Sequence, residues 1–241
     1  LYEPSGYIAR NLDDRPFEVD IFGLGRTFPH PLGDGSSKYF PVLLSLTPKA
    51  DELSLEFART LIDAEALGQG DALDYLAVSF SAPDIAGHLF GQASLEYEDA
   101  VLRTDHNLAA LLEHIDERIG LDHVLIALSA DHGGVEAPEH MQSLGFPVDR
   151  LPLDWIRSGA TLSEPLEKKY GRDDLVAGHS HPYVYLNMAA VRDAGLDVAE
   201  VERTVADELM RLPGIAYALT RSQIMAGEVP DIPLAHKIVR N

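Results

Sequence analysis

Two aspartate–histidine pairs are the residues of this chain best suited to chemistry. Asp84 and His88 stand four apart in Ser81-Ala82-Pro83-Asp84-Ile85-Ala86-Gly87-His88, and Asp131 and His132 are adjacent in Ser129-Ala130-Asp131-His132-Gly133-Gly134. A spacing of four puts Asp84 and His88 on one face of a helical turn. Adjacency in a turn lets Asp131 and His132 both face a cleft. Gly87, Gly133 and Gly134 leave room for tight backbone and a close ligand. The chain has no cysteine, so carboxylate and imidazole are the donors it can offer to zinc. Either motif alone is commonplace, because aspartate also caps helices and forms turns. Both at one edge of one sheet are much harder to obtain by accident.

The surrounding pattern supplies that edge. Residues 73–80 read as a buried strand running into the first motif, and residues 123–129 as a second strand running into the other. Between them a helix is expected over about 95–119. Ser94 suits its N-cap, Glu96, Glu98 and Asp99 suit its positive end, and Val101, Leu108, Leu111, Leu112, Ile115 and Ile119 line its buried face. Strand, long helix and strand make a βαβ unit, whose strands are parallel and end on the same edge, where open α/β sheets bind ligands. A further helix is expected over 51–67, with an apolar stripe of Leu53, Leu55, Phe57, Ala58, Leu61, Ile62 and Ala66 closed by Gly68. Residues 1–50 read as ordered loop rich in proline, glycine and aromatics. After residue 134 the periodicity weakens. A strand is expected at 183–187, a helix at 197–211 and a strand at 214–220. The expected division is an α/β part over 1–134 that bears the metal ligands, and a small α+β subdomain or lid over 135–241.

The chain's 241 residues, 46% hydrophobic, suffice for a substantial core. No apolar run is long enough to cross a bilayer. A formal net charge of −20 disfavours nucleic-acid duplexes as partners. A small anionic substrate would need a local reversal of that field, which bound divalent cations would supply.

The stretch from Asp51 to Gly134 resembles the alkaline phosphatase superfamily. It is most similar to the type I phosphodiesterase/nucleotide pyrophosphatase branch and to the phosphate-irrepressible alkaline phosphatases with a threonine nucleophile. The matching residues are Val78-Ser79-Phe80-Ser81, Asp84 to Gly91, Ser94-Leu95-Glu96, Asp99, Arg103, Asp105 and Leu128 to Gly133. The resemblance implies an alkaline-phosphatase-like sheet sandwiched by helices, here partial. It implies two zinc ions, one held by Asp84 and His88 and the other by Asp131 and His132, in-line phosphoryl transfer on a small phosphate ester, and a periplasmic or secreted location. The family's nucleophile, an early aspartate ligand, a last histidine ligand and its phosphate-contacting side chains are not evident. The chain is therefore expected to be part of a longer polypeptide and, alone, inactive. A change of substrate to phosphonate, sulfate ester or nucleotide pyrophosphate is the alternative within the superfamily. A non-catalytic metal-binding α/β domain is the alternative outside it.

Other polar residues have plainer readings. His179 and His181 have the spacing of ligands on an extended chain, but a loop is the simpler assignment. His30, between two prolines, is expected to pack in a loop, and His140 to lie in one. His106, His114 and His123 are expected at solvent or at the sheet edge. Thr27, Ser36 and Ser37 have no activating neighbour in sequence. Asp99 and Arg103 read as a solvated i,i+4 pair. Trp155 reads as a packing residue of the second part.

Overall fold

Thr47 opens the helix on which the first core is built. Its hydroxyl accepts a hydrogen bond from the Lys49 amide, Pro48 occupies the first turn, and the helix runs over Pro48–Ala64. In a computed structural model that describes residues 13–33, 35–151, 160–180, 182–232 and 235, this is α2, preceded by the short α1 over Phe40–Ser45. Its buried face is Leu55, Ala58 and Ile62, at helical spacing. Ahead of the second motif lie α3, Ala82–Phe90, and α4, Leu95–Arg118. Ser94 caps α4 as expected, its hydroxyl accepting from the Tyr97 amide at 3.1 Å. Leu111 of α4 packs with Leu55, Ala58 and Ile62, joined by Ala110, Ile115 and Ile119. Ile62 is 1% exposed, and burying a side chain of that size contributes roughly 1.5–3 kcal/mol.

The two expected strands are where sequence and structure part. Leu76, Val78 and Phe80 pack against the α2–α4 core, while Tyr75, Ala77 and Ser79 are exposed. That alternation has the period of extended chain. Yet residues 73–80 join no ladder, and neither do residues 124–130, which follow a 3₁₀ turn at Leu121–His123. The parallel pair of the expected βαβ unit is therefore not formed among the described residues. A strand is completed by ladder partners on its edges, and among the described residues 76–80 has one face covered but joins no ladder. The second segment is barer: Leu125 is 98% exposed and Leu128 is also exposed.

Some side-chain expectations are also corrected. Leu53 and Phe57 turn away from the buried stripe of α2 and, with Leu61, line an open groove against Leu76–Ser79. Val101 is exposed rather than buried. His114 is buried, with its Nε2 3.0 Å from Asp63 Oδ1. Asp99 is buried as well: Arg103 Nε donates to it at 2.8 Å while Arg103 Nη1 donates to Glu52 Oε1 at 3.0 Å, tying α4 to α2. His114 and Arg103 each found a partner on α2, which local sequence does not reveal. His140 lies not in a loop but in α5, Pro138–Ser143.

The chain divides into two compact units, residues 1–149 and 150–241. The second contains α6 (Ala160–Tyr170), the hairpin strands β1 (Val176–Ser180) and β2 (Tyr183–Leu186), α7 (Met188–Asp193), α8 (Val198–Met210) and α9 (Arg221–Ala226). The strands are antiparallel, with Ser180 opposite Tyr183 and Val176 opposite Leu186. Leu162, Leu166, Leu175, Val191, Val201 and Val205 form its core. Thr220 and Gln223 make a reciprocal capping box at α9. Residues 214–220 carry no ladder, so the strand expected there is not formed, whereas β1, with its glycine and alanine, went unpredicted. Trp155 and His181 lie outside the described residues.

Candidate metal centre

The site is built on α3, a short helix held at both ends. At its start Pro83 fixes a helical φ, but Ser81, the N-cap, sits in the helical region with no side-chain cap of its own. Asp51 of α2 serves instead: Oδ1 accepts from the Ser81 amide and Oδ2 from the Ala82 amide, both at 2.9 Å. At the far end the Val19 amide donates to Leu89 O at 2.8 Å. The Phe90 ring stacks on His30 with centroids 4.9 Å apart. His30 is itself fixed, its Nε2 lying 2.8 Å from Glu96 Oε1 and its Nδ1 3.1 Å from Leu24 O, which bears out its reading as a packed residue.

One turn apart on α3, Asp84 and His88 face the same way, with His88 Nε2 3.3 Å from Asp84 Oδ1. His132 arrives from the second motif, its Nε2 also 3.3 Å from Asp84 Oδ1. The two imidazoles are 6.2 Å apart between centroids and inclined at 65°. Asp84, His88 and His132 each present a donor atom within 4.8 Å of the others, and all three are exposed. The four expected ligands are thus not gathered equally. Asp131 stands beside the trio, its Oδ1 accepting from the His132 amide at 3.0 Å and its Oδ2 3.6 Å from His132 Nε2. Its side chain is 86% exposed.

The tautomer of His132 follows from its neighbours. Nδ1 lies 2.9 Å from the Gly133 carbonyl, which can only accept, so Nδ1 carries the proton. Nε2 then presents its lone pair towards Asp84 whenever the ring is neutral. Two lone pairs facing each other across 3.3 Å call for a cation between them, either a proton on Nε2 or a metal ion. The same surroundings hold the His132 pKa above the ordinary histidine value: first the Gly133 hydrogen bond, then the charges of Asp131 and Asp84. A backbone carbonyl that takes the outer N–H and leaves the inner nitrogen free to ligate is the usual support of a metal-ligating histidine.

Of the three glycines singled out from sequence, Gly134 is the most closely approached, by the flexible end of the Gln92 side chain. A Cβ there would overlap the Gln92 amide, whereas at Gly133 it would meet nothing and at Gly87 only ordinary contact with Tyr97. Thr27, Ser36 and Ser37 are exposed, and His179 is half-buried on β1. Sequence reasoning missed Asp51 and Glu96 as supports of α3. The only local signal for Asp51 was an acidic residue in the first turn of a helix.

A family model for type I phosphodiesterase / nucleotide pyrophosphatase matches residues 13–232. The chain is similar to alkaline phosphatase PafA of Elizabethkingia meningoseptica, 30% identical over 238 residues, covering 98% of this chain and 43% of that protein. It is similar to alkaline phosphatase PhoV of Synechococcus elongatus, 29% identical over 249 residues, covering 99% and 42%. Among solved structures it resembles wild-type PafA with a TM-score of 0.72 at 29% identity, over 87% of this chain and 39% of that one. A four-substitution variant of PafA gives 0.75 at 28%, over 92% and 42%. The fold class is thus α/β, shared with these alkaline phosphatases, and the chain spans about two fifths of the length of the curated relatives it matches.

Proposed function

The chain belongs to the type I phosphodiesterase / nucleotide pyrophosphatase family, and from that premise we propose that it is a portion of a two-zinc phosphoric ester hydrolase. The observation that carries this reading is the convergence of Asp84, His88 and His132 from two motifs onto one point. The donor set fits zinc: two imidazole nitrogens and a carboxylate oxygen, with an open side. Asp131, adjoining the trio, is the carboxylate that would reach towards a second ion. When bound, such ions neutralise phosphoryl oxygens and lower the barrier to in-line displacement.

The chain's own residues do the rest. α3 presents Asp84 and His88 together, and Gly133 O sets the tautomer of His132. Outside this cluster the net charge of −20 repels polyanions, which favours a small phosphate ester over a nucleic-acid duplex. The trio itself supplies no nucleophilic hydroxyl. The reading therefore includes further polypeptide that completes the centre and negligible turnover by these residues alone. The periplasmic or secreted location belongs to the same reading and rests on the resemblance.

Calorimetric titration of the purified chain with zinc tests it. Saturable binding that is lost in His88→Ala and in His132→Ala supports the proposal. Zinc binding that survives both substitutions overturns it, as does efficient hydrolysis of an aryl phosphate by this chain alone.

A further inference from the structure

We propose that Asp51 is the positioning residue of the metal centre: its carboxylate caps α3 from another helix and thereby sets the direction in which Asp84 meets His132. This rests on the reading of Asp84, His88 and His132 as a cation site. The start of α3 leaves free amides. A helix leaves its first N–H groups without internal partners, and a serine N-cap ordinarily satisfies one with its own hydroxyl. Ser81 does not: its φ of −111° and ψ of −10° are helical, and its side chain makes no cap. Both early amides, those of Ser81 and Ala82, are taken by the two oxygens of Asp51.

Two features make this more than a helix cap. The first is bidentate geometry. One acceptor leaves a helix free to swivel about a single hydrogen bond; two oxygens on consecutive amides fix its rotation as well. Rotation matters because successive residues are 100° apart around a helix, so a modest turn of α3 carries Asp84 and His88 away from His132 together. The second is burial. Asp51 is 4% exposed, and a buried carboxylate is costly unless fully hydrogen-bonded. Asp51 lies on α2, whose Leu55, Ala58 and Ile62 are locked against Leu111 of α4. The metal-bearing helix is thus registered directly to the rigid core.

The test compares Asp51→Asn with Ile62→Val, a core substitution that weakens the same unit without touching α3. Two quantities are read on each folded protein: amide hydrogen exchange of residues 82–90, and zinc affinity by competition with a chelator. Asp51→Asn is expected to speed exchange in α3 and to weaken zinc binding about tenfold or more, as loss of an outer support to a ligand does. Ile62→Val is expected to leave both near the parent values at equal loss of global stability. If Asp51→Asn is too unstable to prepare, Asp51→Glu keeps the charge, displaces the carboxylate and is expected to show the same pattern. Exchange in α3 no faster than in Ile62→Val overturns the inference. So does unchanged zinc affinity. A parent chain that binds no zinc removes the cation reading instead, while the exchange measurement still decides whether Asp51 holds α3.

Discussion

Asp84 Oδ1 is shared by two histidines, lying 3.3 Å from His88 Nε2 and 3.3 Å from His132 Nε2. One oxygen thus joins the helix motif to the motif that follows α4. Asp131, although adjacent to His132 in sequence, is outside this junction.

The four expected ligands should therefore differ in weight. Asp84→Ala removes the shared oxygen and is expected to weaken zinc binding by about a hundredfold or more, whereas Asp131→Ala, which acts from beside His132, should weaken it on the order of tenfold. Calorimetry on the two variants ranks them. Equal losses would contradict the geometry.

Glu18 gives the first unit a pH dependence. Burial raises its pKa from 4.5 to about 7 against the Arg15 amide that hydrogen-bonds it, with help from the charge of Glu96. Its Oε1 has no hydrogen-bond partner among the described residues. The folded state then holds a proton that the unfolded chain has already released. That contribution is complete below the unfolded value and is lost as pH rises through about 7. His30 works in the same direction. Burial opposes its charge, but the Glu96 and Leu24 hydrogen bonds outweigh that and leave its pKa raised. Glu18→Gln mimics the protonated acid and should stabilise the protein by roughly 1–2 kcal/mol at pH 8 and very little at pH 4.5. Thermal unfolding at the two pH values measures the difference, and a gain at pH 4.5 as large as at pH 8 would refute it.

The link between α4 and α2 should exceed an ordinary surface pair. Arg103 is largely covered and holds both Asp99 and Glu52. Asp99→Ala leaves that guanidinium half paired and is expected to cost about 1.5–3 kcal/mol in urea denaturation. Arg211→Ala, which removes an exposed partner of Glu208, should cost less than about 0.5 kcal/mol.

Leu73 and Leu125 are 99% and 98% exposed. Replacing each with lysine removes no packing and should change stability by less than about 0.5 kcal/mol. The double variant is expected to scatter less light at high concentration, because apolar extended segments without ladder partners invite association between molecules. Ile62→Ala, by contrast, should cost about 2–5 kcal/mol.

The helices α2, α4 and α8 were legible because their signals are local: an apolar period of 3.6 and, at α4, a serine before the first turn. What local signals could not settle was which partner a polar group would find. Glu96 suited the positive end of α4, yet in the fold its Oε1 lies against His30. Asp99, expected in a solvated pair, and His114, expected at solvent or the sheet edge, are buried against Arg103 and Asp63. The segment 73–80 has the composition of a central strand, and Leu76, Val78 and Phe80 do pack inwards. Ladder hydrogen bonds, however, require a second segment that composition cannot supply. β1 was missed because Gly178 and Ala177 have weak strand preference, and Tyr183–Leu186 completes it. Both Asp–His motifs were visible. The asymmetry between Asp131 and the other three was not, because it depends on how residues 124–131 approach α3.

That approach has a thermodynamic side. Residues 124–131 are anchored by no strand ladder, and His132 meets the α3 pair at Asp84 Oδ1 and edge-on to the His88 ring. An ion gripped by Asp84, His88 and His132 would close a large loop of chain, much as a crosslink does, and part of its intrinsic affinity would be spent on that closure. Binding and the seating of this segment are then a single linked equilibrium. Whatever else pins residues 124–131 in place, including a neighbouring strand, would raise the effective concentration of His132 at the helix and tighten the grip on the ion without adding a ligand.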